Sequence, residues 1–181
     1  MNQDIAVEWY EIVREVIDLR SFSNLWYWIA LAVVWSTTSH WVLGVPYDMA
    51  LRARRHGGQA QIDLEMMVRI NTNRLLHISQ VSGLWLLGLI SFVLTGLAIL
   101  GFYYWVEFAQ ALFLLAFPMT FVGLLSLSTA RLIDAGNPIG EALFSALRKH
   151  RIITQIIGMI AIFVTAMFGM YQNLSIGALG H

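Results

Sequence analysis

The chain has no cysteine, and only 12% of its 181 residues are charged, against about 25% in an ordinary soluble domain. Without cysteine there can be no disulfides, thiolate metal sites, cysteine-ligated iron–sulfur clusters or covalently attached c-type haem. Any redox chemistry would rest on the five histidines. A Gly-rich phosphate loop, a His-Glu metalloprotease motif and a nucleophile elbow are also missing. No Lys or Arg precedes Arg14, so the start lacks the basic region of a cleaved signal peptide, and the first apolar run is the expected targeting element.

Charge is missing above all from four stretches, Ser21 to Tyr47, Leu75 to Val106, Phe108 to Ala130 and Ile152 to His181. A hydrocarbon core about 30 Å thick needs roughly 20 apolar residues of helix, and each stretch contains such a run. Hydrophobic residues make up 58% of the chain and its mean hydropathy is +0.67. Membrane barrels read as alternating apolar and polar residues over about ten positions, whereas these runs are continuously apolar. The expected fold is an all-α membrane protein with four transmembrane helices in residues 21–181.

What charge there is falls in two places. Nine of the eleven Lys and Arg residues are Arg52, Arg54, Arg55, Arg69 and Arg74 after the first run, and Arg131, Arg148, Lys149 and Arg151 after the third. Basic loops stay cytoplasmic, so both loops are expected inside, with the termini and the Tyr104 turn outside. Trp26, Tyr27 and Trp28, Phe102 to Trp105, and Tyr171 then fall at the outer ends, where amphipathic rings favour the headgroup layer. Over residues 1–20, Ile5, Trp9, Ile12, Val13, Val16 and Ile17 recur at helical spacing among Glu8, Glu11, Glu15 and Asp18, which predicts an acidic amphipathic helix. Anionic lipid repels such a face, so a protein surface is its expected dock, either a partner's or the chain's own bundle. In the first basic loop, the Gly57-Gly58 break followed by Leu64, Met67, Val68, Leu75 and Ile78 predicts a short basic helix, a turn and an amphipathic helix leading into the second span. Arg52, Arg54 and Arg55 are expected to serve as topology signals and phosphate-facing charges, since so small a basic patch does not suit nucleic acid.

An internal repeat is legible. A shift of 92 aligns Ser36, Thr37, Gly44, Pro46, Ala50 and Leu51 with Ser128, Thr129, Gly136, Pro138, Ala142 and Leu143, and a shift of 75 aligns Ile78 to Gly83 with Ile153 to Gly158. The units, about 24–103 and 107–172, would be two hairpins of the same orientation about an axis along the membrane normal. Gly-x-Pro would end a span and start a short inner helix. Gln80 and Gln155 would enter the membrane at equivalent depth, to bond each other or to line a small polar cavity with Ser36 and Ser128. Pro118 should kink the third span.

The spans contain no acidic residue, lysine or arginine, so the carboxylate relay of proton-coupled transporters is missing. His40 and His77 are expected at similar depth, the geometry of a bis-histidine haem b, although two interfacial histidines equally serve headgroups or hydrogen bonds. His56 and His150 lie in basic loops and read as solvent-facing rather than as metal ligands. Ser36 and His40 share a helix face but lack an orienting acid for a nucleophilic serine.

The segments Arg20 to Trp28, Ser39 to Asp48, Arg54 to Gly58 and Val68 to Asn71 resemble a family of small alphaproteobacterial membrane proteins often labelled components of the SufBCD complex, the iron–sulfur cluster assembly scaffold. The resemblance covers roughly the first 130 residues and brings no catalytic or binding residue. It implies a bacterial inner-membrane protein. Since that machinery is soluble and this chain has no cysteine to hold a cluster, it implies docking through the inner loops.

The function expected from the sequence is that of a non-enzymatic accessory or docking subunit, without a cofactor, in contact with the bilayer and another membrane or membrane-associated protein. The alternatives are a small-molecule binding or transport protein with its site near Ser36, Gln80, Ser128 and Gln155, a haem b protein using His40 and His77, and, by the family label, a membrane partner of iron–sulfur assembly.

Overall fold

The computed structural model describes residues 21–179, with side chains from Phe22 to Leu174. The amphipathic helix expected over residues 1–20 lies outside the described residues. After a 3-10 turn at Ser21–Ser23 come α1 (Leu25–His40), a hairpin of β1 (Trp41–Val42) and β2 (Val45–Pro46), α2 (Tyr47–His56), α3 (Gly58–Ala98), a π-helical turn (Ile99–Tyr103), α4 (Glu107–Gly136) and α5 (Gly140–Leu179). The described residues are therefore helical nearly throughout. Three helical segments, Gly58–Tyr103, Glu107–Gly136 and Gly140–Leu174, are long and apolar enough to cross a membrane.

The first charge-free run does not become one long helix. Asn24 starts α1 by accepting a bond from the Trp26 backbone N–H at 3.0 Å, and the helix ends sixteen residues later at His40. β1 and β2 then pair antiparallel, Val42 opposite Val45, across the two-residue turn Leu43-Gly44. Both turn residues have positive φ, 51° and 73°, as a type I′ turn requires. Glycine adopts that conformation freely, but for leucine it is strained, and Leu43 is held there by burial. Pro46 then opens α2, and Gly57 and Gly58, both at positive φ, separate α2 from α3 as the sequence predicts. At the second Gly-x-Pro, Asn137 adopts the left-handed conformation and closes α4 with an N–H bond to Ile133 O at 2.8 Å. There the short inner helix does not stay separate: it is the first part of the continuous α5. Helical backbone persists on both sides of Pro118 in α4.

The core divides unequally. Thirteen buried residues form one cluster at the basic end, built from Val42, Leu43 and Val45 of the hairpin, Tyr47, Ala50 and Ala53 of α2, Leu64 and Val68 of α3, and the facing ends of α4 and α5. The bundle proper has a cluster of four, Leu31, Trp35, Val122 and Ala161, which joins α1, α4 and α5. In the most apolar window of α3 no residue is buried within the chain, and Leu84 and Trp85 are each 83% exposed. Water would not tolerate that surface over several turns, whereas hydrocarbon does.

Candidate functional site

The basic end is a packed lobe built around α2. Its Tyr47 ring lies under the Arg151 guanidinium of α5 at 4.0 Å, and its Arg54 guanidinium covers the Phe144 ring of α5 at 4.5 Å. Arg54 Nε also donates to Glu141 Oε1 at 2.9 Å, so two cation–aromatic contacts and one ion pair fasten α2 to α5. Glu65 of α3 ties in the start of α5: its Oε1 accepts the Gly140 backbone N–H at 3.0 Å and Gln61 Nε2 at 2.9 Å. Glu65 lies in the polar first half of α3, ahead of the charge-free run. The bond from Gln61, then that from Gly140, holds its carboxyl below the usual carboxylate range. Asn71 Nδ2 completes the lobe by donating to Gly44 O in the hairpin at 3.2 Å.

Around this frame the charges project outward. Arg52, Arg55, Arg69, Arg74, Arg131, Arg148 and Lys149 are all exposed. From Asp48 to Arg151, leaving aside Glu107 at the far end, nine Lys and Arg face five Asp and Glu, so the lobe is net basic. Beside it, α3 and the Asp134 to Ile139 turn enclose a groove of about 320 Å³, with Arg69, Thr72 and Asn73 on one wall and Asp134, Asn137 and Leu143 on the other.

His150 requires a correction. It is 3% exposed, not solvent-facing, because its place on α5 continues a buried stripe through Leu147, Thr154, Gly158, Ala161, Thr165, Gly169 and Gln172 at three- and four-residue steps. Its Nε2 lies 3.1 Å from Ser126 Oγ. Ser126 donates its own proton to Val122 O at 2.8 Å, so the ring nitrogen is the donor in the pair and the serine is not activated. Among the described residues no carboxylate bonds this histidine.

The candidate residues named from the sequence stand on four different helices, Ser36 on α1, Gln80 on α3, Ser128 on α4 and Gln155 on α5. Ser36, Gln80 and Ser128 are exposed and Gln155 is half-buried, with no hydrogen bond joining any of them. The amide pair that forms is at the other end of the bundle, where Gln172 Nε2 donates to Gln110 Oε1 at 2.6 Å and Gln110 Nε2 donates to Gly101 O at 2.8 Å, tying the π-helical turn to α4 and α5. His40 Nε2 lies 3.8 Å from Asp48 Oδ2 across the hairpin, and both it and His77 are exposed. Thr38, Ser82, Thr120, Ser126 and Thr129 each donate to a carbonyl three or four residues back in their own helix, the ordinary use of hydroxyls in apolar helices. No group of three or more His, Asp or Glu suited to a metal occurs among the described residues.

Comparison with protein-family models, with curated proteins and with solved structures brings no match, so the functional reading rests on the chain's own residues.

Proposed function

We propose that the chain is a non-enzymatic integral protein of the bacterial inner membrane that docks another membrane or membrane-associated protein through its basic lobe. In this reading α1, α3, α4 and α5 all cross the bilayer as two hairpins of like orientation. α1 alone is about 24 Å long, so in this reading the residues flanking it complete the roughly 30 Å of the hydrocarbon core. The basic lobe faces the cytoplasm, and the exposed rings of Trp26, Tyr103, Tyr104, Trp105 and Tyr171 sit in the periplasmic headgroup layer together with both termini.

The observation that carries the proposal is where the chain packs best. Its larger core holds the lobe rather than the bundle, and Arg52 and Arg55 project from the braced helix α2 without a hydrogen bond or ion pair to any described residue. A fixed helix with free cations suits an acidic protein surface, since it needs no reordering on binding. The transport alternative rested on Ser36, Gln80, Ser128 and Gln155, and the first three are on the outside of the bundle.

Purification from the native membrane in mild detergent tests the proposal. A stoichiometric partner without a visible chromophore is the expected result. A Soret band that disappears in His40→Ala or His77→Ala, with no partner, would replace docking by haem binding.

A further inference from the structure

The groove beside the lobe carries one cation, Arg69, and two carboxylates, Glu65 and Asp134, and Arg69 pairs with neither. Arg69 of α3 and Asp134 of α4 face it from opposite walls, yet neither forms a hydrogen bond or ion pair with any described residue. Glu65, the other carboxylate on the groove, already accepts from Gly140 and Gln61. Thr72, which also lines the groove, is 2% exposed and its buried hydroxyl has no partner among the described residues. Asn73 and Asn137 add amide groups at the margin. A lone anion would meet Asp134, and a lone cation would meet Arg69. A ligand carrying both signs satisfies both walls.

Depth narrows the chemistry. Arg69 lies six residues ahead of the charge-free run that starts at Leu75, and Asp134 lies four after the one that ends at Ala130. Both are therefore within about 10 Å of the hydrocarbon edge, in the headgroup layer. The rim agrees, with Ile62, Met66 and Ile139 between 52% and 70% exposed.

We propose that the groove between Arg69 and Asp134 binds a phosphoethanolamine zwitterion. The Arg69 guanidinium takes the phosphate through two parallel N–H bonds, and the Asp134 carboxylate accepts from the primary ammonium. A quaternary ammonium has no proton to donate to Asp134, and a glycerol headgroup leaves that carboxylate facing the phosphate uncompensated. Both are discriminated against.

This inference rests on the membrane reading above, but it is tested on the isolated chain, so the absence of a protein partner leaves its outcome unaffected. The full-length protein is exchanged into mixed micelles containing equal phosphatidylethanolamine, phosphatidylcholine and phosphatidylglycerol, and retained lipid is counted by native mass spectrometry. One phosphatidylethanolamine per chain is expected, at least tenfold over the other two. Arg69→Gln and Asp134→Asn should each abolish the preference without changing elution volume or helical circular dichroism, because both side chains are exposed. A second arm titrates soluble phosphoethanolamine against the lipid-free protein. Saturable binding in the micromolar range, with no lipid preference, would assign the same site to a soluble ligand. Equal retention of phosphatidylglycerol, or variants that retain phosphatidylethanolamine unchanged, would overturn the proposal.

Discussion

Gly158 of α5 lies against the indole of Trp35 so closely that a β-carbon added there would sit 2.8 Å from Trp35 Cε3 and 3.3 Å from Cδ2. Ordinary carbon contacts begin near 3.4 Å, so Gly158→Ala must push α1 and α5 apart by about half an ångström or turn a ring that is 3% exposed. Overpacking of this kind costs about 1–3 kcal/mol, and the better helix propensity of alanine returns up to about 1 kcal/mol. The net loss is about 0–3 kcal/mol, or a fall in thermal midpoint of up to roughly 12 °C for a chain of this size. Gly83 of α3 supplies the control: it has nothing within 4 Å of its added β-carbon, so Gly83→Ala should be neutral or slightly stabilising. Tryptophan fluorescence during thermal unfolding in detergent reads both variants. Trp35→Leu in the Gly158→Ala background should recover part of the loss, since the two changes act on one contact. Equal midpoints for the two glycine variants, or a rise in Gly158→Ala, would refute the reasoning.

The other predictions concern the polar ties and the orientation. Gln110→Leu leaves Gly101 O without its bond and removes the acceptor of Gln172, at a cost of about 1–3 kcal/mol, measured as the same midpoint shift. Glu65 has a lowered folded-state pKa, so its contribution is present above the unfolded value of about 4.3 and is lost as the pH falls below it. Glu65→Gln should therefore lower the midpoint by about 1–4 °C at pH 7 and flatten its decline below pH 4.3, in a comparison of both proteins from pH 3 to 7. His150→Leu should stay within about 1 kcal/mol of the parent, because Ser126 keeps its bond to Val122 O. Because the chain has no cysteine, Tyr104→Cys should react with an impermeant maleimide on intact cells and Arg55→Cys only after permeabilisation; the reverse pattern would invert the assigned orientation.

What the sequence made legible was governed by patterns along one dimension. The charge-free runs mark the apolar halves of α3, α4 and α5, and Gly57-Gly58 marks the break between α2 and α3, because glycine, proline and charge act locally. The hairpin at Trp41 to Pro46 left no such trace. A two-residue turn with both φ angles positive is usually announced by Asn-Gly, whereas here Leu43 occupies the first place and tertiary burial holds it there. His150 looked solvent-facing because Arg148, Lys149 and Arg151 surround it, yet on a helix those neighbours point elsewhere. Extending the three- and four-residue steps from Leu147 to Gln172 would have found the buried stripe. Gln110 and Gln172 pair across 62 residues through the close approach of α4 and α5, and no local signal foretells that. The lobe's core has the same origin, since Leu64, Ile133 and Leu143 meet only when three helices converge.

Docking through the basic lobe is tested most directly by reversing its free cations. Arg52 and Arg55 are exposed on α2 and hold no described residue in place, so Arg52→Glu with Arg55→Glu should leave the fold unchanged, as monitored by helical circular dichroism. Parent and variant are recovered side by side from native membranes in mild detergent, and the co-purifying proteins are quantified. The account predicts a stoichiometric partner with the parent and at least a tenfold loss of it with the variant. A partner retained equally by both, or none with the parent, would contradict it.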